Sequence, residues 1–183
     1  MSIVMVTGGA RSGKSTYAEE ICVESRRNVT YIACAKITDE DMAKRVELHR
    51  LQRPREWPTI EKYKQFGDIT SGESATDFYL LDCVTTMITN IMFDEEFDCE
   101  TCSTGEITKV EEKVKCEIDA LLKEFADSDK TLVMVTNEVG QGIVPAYRLG
   151  SIFRDIAGRM NQHIASKADE VICMISGLPL KLK

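Results

Sequence analysis

Residues 8–15 constrain this chain more than any other segment. Gly8, Gly9, Ala10, Arg11, Ser12, Gly13, Lys14 and Ser15 fit the pattern G-x-x-x-x-G-K-[ST], a phosphate-binding loop. Glycines without a Cβ let the backbone wrap a polyphosphate, and the exposed N–H groups point at its oxygens. Lys14 adds a positive charge for the β- and γ-phosphates, and Ser15 offers a hydroxyl to Mg²⁺. The flanks agree with the motif. Residues 2–7 are a short apolar, β-rich run, and Tyr17, Ala18, Ile21 and Cys22 recur at helical spacing. Strand, glycine loop and helix follow in the order that lets a helix N-terminus face the phosphates. The competing reading is a Gly-rich strand-to-helix turn with no ligand.

Five apolar runs alternate with helical patterns. The runs lie at 2–7, 30–35, 77–82, 131–136 and 170–176. Each is apolar on both faces, as strands of a helix-covered parallel sheet are. Helices are expected near 14–25, 39–51, 84–93, 106–127 and 147–167. The fourth keeps an apolar stripe through Ile107, Val110, Val114, Ile118, Leu121, Leu122 and Phe125. The last does so through Leu149, Ile152, Phe153, Ile156, Met160 and Ile164. Such alternation predicts an α/β fold with right-handed crossovers, and residues 94–105 read as a polar, mobile loop. The 183 residues suit one domain spanning 1–183.

A net charge of −7 argues against nucleic acid or an anionic membrane surface as the main partner. The absence of an 18-residue apolar run and of a signal-peptide pattern predicts a soluble cytoplasmic protein. The seven cysteines are an odd, scattered set. Cys22, Cys34, Cys83, Cys116 and Cys173 read as small core residues. Cys99 and Cys102 form one C-x-x-C, and a zinc site wants a second such pair or nearby histidines.

A phosphate loop needs a second acidic group to organise Mg²⁺, usually at the end of a neighbouring strand. Asp82 fits, after the apolar residues 78–81 and at the end of the sheet where ligands bind. The bland alternative is a plain strand-terminal aspartate. Thr85, Thr86 and Asn90 follow it. Of the two histidines, His49 sits among Arg45, Arg50, Arg53 and Arg55. That stretch reads equally as a solvated helical face or as a phosphate clamp around an imidazole nucleophile or base. His163 reads as a helix-surface residue. Residues 136–142 follow the fourth run on the ligand side, and Arg148, Arg154, Asp155, Arg159 and Asn161 mark the last helix. Surface i, i+4 pairing is the plain account of those arginines.

Taken together, these strings resemble the bifunctional adenosylcobinamide kinase/adenosylcobinamide-phosphate guanylyltransferase family of cobalamin synthesis. The likeness covers residues 6–15, Tyr31 to Ala33, Arg45 with His49 and Arg50, and Trp57 with Thr59 and Glu61. It continues through 82–87 with Thr89 and Asn90, 135–140 with 142–145, and 154–159, ending at Ser176 and Gly177.

The resemblance implies a RecA-like P-loop NTPase core and two reactions. A nucleoside triphosphate, ATP or GTP, phosphorylates adenosylcobinamide. GTP then gives its GMP part to that phosphate through a histidine-bound intermediate, with His49 in the matching stretch. It implies a GTP site formed by Gly8 to Ser15, Ala33, Cys34, Ala35, Arg50, Leu51, Gln52, Arg53, Glu61 and Asp82, with Mg²⁺ on Ser15 and Asp82, and a homotrimer. Leu48 departs from relatives that carry a second histidine there. Two other readings stand beside it: a P-loop kinase of another small alcohol or nucleoside, and a GTP-dependent switch.

Overall fold

The computed structural model describes residues 2–36, 46–47, 50, 53–71, 76–95 and 98–183. Each of the five expected apolar runs overlaps a strand: β1 (Ser2–Gly8), β2 (Val29–Ala33), β4 (Phe78–Asp82), β5 (Thr131–Val135) and β6 (Glu170–Ile175). Two further strands complete the sheet, β3 (Thr59–Glu61) and β7 (Leu178–Lys181). The order is β3-β2-β4-β5-β1-β6-β7, parallel except for β7, which pairs antiparallel with β6.

Four helices are α1 (Lys14–Glu24), α2 (Val84–Asp94), α3 (Thr104–Ala126) and α4 (Arg148–Lys167). The helix expected over 39–51 falls mostly outside the described residues. The other helices end within two residues of expectation. Ser103 begins α3 with a capping box, its hydroxyl accepting from the Glu106 N–H while the Glu106 carboxylate accepts from the Ser103 N–H.

Strand alternation sorts the core onto two sides of the sheet. Ile3, Met5, Tyr79, Leu81, Leu132 and Met134 face α2, α3 and α4. Val4, Val6, Leu80, Val133, Val135, Ile172 and Met174 face Ala18 and Cys22 of α1. The α3 and α4 stripes pack as expected, with Ile107, Leu149 and Phe153 only partly buried.

Three expectations change. Cys116 is exposed on α3, while Cys102 is buried. Within 94–105, residues 98–102 form a built turn, because the Arg148 guanidinium donates to the carbonyls of Cys99, Glu100 and Cys102 at 3.1, 2.7 and 2.6 Å. His163 is no simple surface residue: its Nε2 lies 2.5 Å from Asp119 Oδ1, tying α4 to α3. Arg159 makes the same crossing to Glu111 on α3. No helix among the described residues is long and apolar enough to cross a membrane.

Candidate nucleotide site

The sheet delivers the phosphate loop at the carboxyl end of β1. Gly8 takes φ 153°, and a Cβ there would lie 2.6 Å from both the Met174 carbonyl oxygen and Ser12 Oγ. Gly13 has φ 93° and serves as N-cap of α1, where a side chain would strain the backbone. Arg11, with φ 58°, also adopts the left-handed conformation. The loop is closed by Ser12 N–H to the Gly9 carbonyl at 3.2 Å and tied to its neighbours by Gly177 N–H to the Ser12 carbonyl at 3.0 Å. Ser12 Oγ and Thr7 Oγ1 are buried without a hydrogen-bond partner among the described residues. An orphaned hydroxyl in a cradle that a Cβ would fill suits an anion.

Lys14 is 8% exposed and donates to the Gly9 carbonyl at 3.0 Å. Burial pulls its pKa down, opposed by the charge of Asp82. Its ammonium therefore belongs to one electrostatic unit with the end of β4. Parity explains why: Asp82 shares the α1 side of the sheet with Leu80. Glu19, one turn beyond Ser15 on α1, joins the same unit. Burial raises its pKa to about 6, helped by Asp82 and opposed by Arg53. Cys83 stays a neutral thiol, because burial and then Asp82 push its pKa up.

Beside the loop a cavity of about 630 Å³ is lined by Tyr31, Ala33, Ala35, Arg50, Arg53, Glu61, Asp82, Cys83, Thr86 and Asn137, among others. It gathers most of the expected nucleotide residues. Arg53 is 8% exposed, with its guanidinium carbon 3.8 Å from the centroid of the Tyr31 ring and Nη2 donating to Thr59 Oγ1 at 3.0 Å. Arg50 reaches Glu61 at 3.9 Å across solvent. Cys34 stands apart from the wall: its thiol is fully buried, and its carbonyl accepts from Asn90 Nδ2 at 2.6 Å. His49, Leu51 and Gln52 lie outside the described residues. A depression of about 700 Å³ between α2 and α3 is larger. Two ion pairs, Lys113–Glu95 and Lys64–Asp94, lie in its wall, and no residue of the phosphate loop lines it.

Sequence reasoning missed Tyr31 and Glu19 as members of the site. The quoted Tyr-Ile-Ala string held the first, and the i+4 spacing from Ser15 held the second. It also left Asn137 without a role. Among the described residues no cluster of three or more His, Cys, Asp or Glu side chains is placed to hold a metal. The donors that fit Mg²⁺ are the Ser15 hydroxyl and the Asp82 carboxylate, hard oxygens of the kind this ion takes beside substrate phosphates.

A phosphate loop after β1, an acidic residue at the end of β4 and a strand inserted between them define a P-loop NTPase of RecA-like α/β class. Solved structures share this fold: a KaiC-like protein, PH0186, from Pyrococcus horikoshii has a TM-score of 0.50 at 11% identity, covering 94% of this chain and 71% of its own. A second P. horikoshii protein, PH0250, has a TM-score of 0.53 at 10% identity, covering 100% and 86%. The family follows from sequence: the chain belongs to the CobU family, cobinamide kinase / cobinamide phosphate guanyltransferase, whose model matches residues 4–182. It is 42% identical over 99% of both chains to the bifunctional adenosylcobalamin biosynthesis protein CobU of Escherichia coli. It is 41% identical over 99% of both to the protein of the same name from Salmonella typhimurium. With the CobP protein of Pseudomonas aeruginosa it shares 33% identity over 98% of this chain and 96% of that one.

Proposed function

We propose that this enzyme, a kinase and guanylyltransferase by family, acts on adenosylcobinamide in two steps at the cavity beside the phosphate loop. In the first, the hydroxyl of the aminopropanol arm attacks the γ-phosphorus of ATP or GTP. The hydroxyl loses its proton and the nucleoside diphosphate leaves. In the second, an imidazole nitrogen of His49 attacks the α-phosphorus of GTP and pyrophosphate leaves. A phosphate oxygen of adenosylcobinamide phosphate then attacks the same phosphorus, displacing the imidazole and giving adenosylcobinamide-GDP. Covalent transfer divides a difficult displacement between two in-line steps.

The observation that carries this reading is the family match over 4–182, laid on a cavity that joins Asp82, Arg50 and Arg53. The loop N–H groups and Lys14 would bind the β- and γ-phosphates. Arg50 and Arg53 would offset charge developing on the α-phosphoryl oxygens. Ser15 and Asp82 would hold Mg²⁺, which when bound supplies charge neutralisation at the phosphates. Ala33, Ala35 and Glu61 would line the nucleoside side, with Cys34, Leu51 and Gln52 in the same segments. The chain works as one domain, in a homotrimer with sites between subunits.

The deciding experiment incubates the protein with α-labelled GTP and Mg²⁺ and looks for acid-labile, base-stable label. His49→Ala should abolish the label and guanylyl transfer while sparing much of the kinase step. His163→Ala should keep the label. Label lost in His163→Ala but retained in His49→Ala would reverse the assignment. An unlabelled native protein with kinase activity would make this a kinase alone. Sedimentation of the purified protein tests the trimer.

A further inference from the structure

The C-x-x-C of Cys99 and Cys102 takes no part in lining the nucleotide cavity. Both residues belong to a single tight turn. The Asp98 carbonyl accepts from the N–H groups of Thr101 at 3.2 Å and of Cys102 at 2.8 Å. The Asp98 carboxylate accepts from the Glu100 N–H and from the Thr101 hydroxyl, both at 2.9 Å. A turn closed by an i to i+4 bond follows helical geometry, which sets Cα atoms three residues apart at about 5 Å. A disulfide takes a Cα separation of about 4.4–6.8 Å. The Cys102 thiol donates to the Cys99 carbonyl at 3.6 Å, so the second sulfur already leans toward the first cysteine.

The turn is also gripped from outside. The Arg148 guanidinium donates to the carbonyls of Cys99, Glu100 and Cys102, the two cysteines and a residue between them. Arg148 opens α4. Further along the same helix, Asn161 Nδ2 donates to the Asn137 carbonyl at 3.1 Å, and Asn137 Nδ2 donates to Thr85 Oγ1 at 2.6 Å. A helix anchored there gives Arg148 a fixed base from which to hold the turn.

We propose that Cys99 and Cys102 form a reversible dithiol–disulfide couple, preorganised by Arg148. Exposure divides the roles: Cys99 is partly exposed, and Cys102 is 5% exposed. The Cys99 thiolate attacks a low-molecular-weight disulfide and expels one half of it as a thiol. The Cys102 sulfur, deprotonated in turn, attacks the Cys99 sulfur and expels the other half. The two cysteines lose two electrons and two protons, and the small disulfide gains both and leaves as two thiols. Burial, then Cys102 and Asp98, push the Cys99 thiol up, so exchange is slow near neutral pH. Ring closure between groups already held in one turn loses little chain entropy.

The test equilibrates the purified protein in buffers of graded oxidised-to-reduced glutathione ratio, blocks free thiols by alkylation and maps the peptides by mass spectrometry. The expected product is a peptide carrying the Cys99–Cys102 bond, two hydrogens lighter than the dithiol and returned to it by dithiothreitol. Cys102→Ala should instead keep one glutathione on Cys99, and Cys99→Ala should leave Cys102 unmodified. Arg148→Ala should need a ratio about 10-fold more oxidising for half conversion. No internal bond at the most oxidising ratio, or one that joins Cys99 or Cys102 to another cysteine, would overturn the couple, and that result needs only the native protein. A midpoint unmoved by Arg148→Ala would overturn the preorganisation.

Discussion

Arg53 lies over Tyr31, its guanidinium carbon 3.8 Å from the ring centroid, while its Nη2 donates to Thr59 Oγ1 at 3.0 Å. Tyr31 and Thr59 are themselves partners across the β2–β3 pairing. One side chain therefore clamps the edge of the sheet and presents a charge to the cavity. A buried cation–π contact contributes about 2 kcal/mol, and the planar fork has no equivalent in an ammonium. Arg53→Ala should lower the denaturation midpoint and weaken GTP binding about 10-fold or more. Arg53→Lys should recover little of either. Recovery by lysine in a calorimetric titration would reduce Arg53 to a point charge.

Asp82→Asn should leave the fold intact and shift the Mg²⁺ dependence of both reactions to higher concentration. The carboxyl stands on the α1 side of the sheet, within the field of Lys14 and Glu19. Neutralising it removes a hard anionic donor while keeping its volume. An unchanged Mg²⁺ titration would leave Asp82 as a structural end to β4.

Gly8→Ala should cost both reactions and stability. The added Cβ would meet the Met174 carbonyl oxygen at 2.6 Å, a backbone atom of β6 that cannot swing away. Gly9→Ala is the matched control, since a Cβ there meets nothing within 4 Å. Equal melting temperatures and rates for the two variants would show that the loop is softer than its packing implies.

Glu19 gives stability a pH dependence of unusual sign. Its pKa rises from an ordinary 4.5 to about 6, first through burial and then through Asp82. The folded state therefore holds this proton more tightly than the unfolded chain does. The contribution is full below the unfolded value and is lost as pH rises through about 6. Glu19→Gln should be more stable than the native protein at pH 7 by about 1 kcal/mol, allowing for solvent screening of a partly exposed group. The gain should vanish near pH 4. A urea midpoint difference independent of pH would show that Glu19 is not the titrating group.

Much of this architecture was readable from periodicity. The β1, β4 and β5 runs alternate between the two core clusters in register, and the α3 and α4 stripes turned inward as written. Two strands escaped. Pro179 lowers the strand signal of 178–181, yet β7 is an edge strand, where a missing N–H is tolerated. Three residues at 59–61 are too few to show alternation. The phosphate loop and Asp82 announce themselves by local pattern. The Arg53–Tyr31 stack and the Asn161–Asn137–Thr85 chain do not, because each joins residues from separate elements that only the sheet order brings together.

Helix α4 grips the protein at two distant points: Asn161 holds the Asn137 carbonyl, and Arg148 holds the turn at 98–102. The segment between, 138–147, is thus a bridge with both abutments fixed, and it carries Ile143, Val144 and Tyr147 at 95%, 70% and 78% exposure. Closing a loop between fixed ends grows costlier only slowly with length, about 0.6 kcal/mol for each doubling. The span can accordingly be lengthened, shortened or re-lettered while the phosphate-handling groups stay where they are. The phosphate-handling groups and the apolar surface that this span exposes are left free to evolve separately.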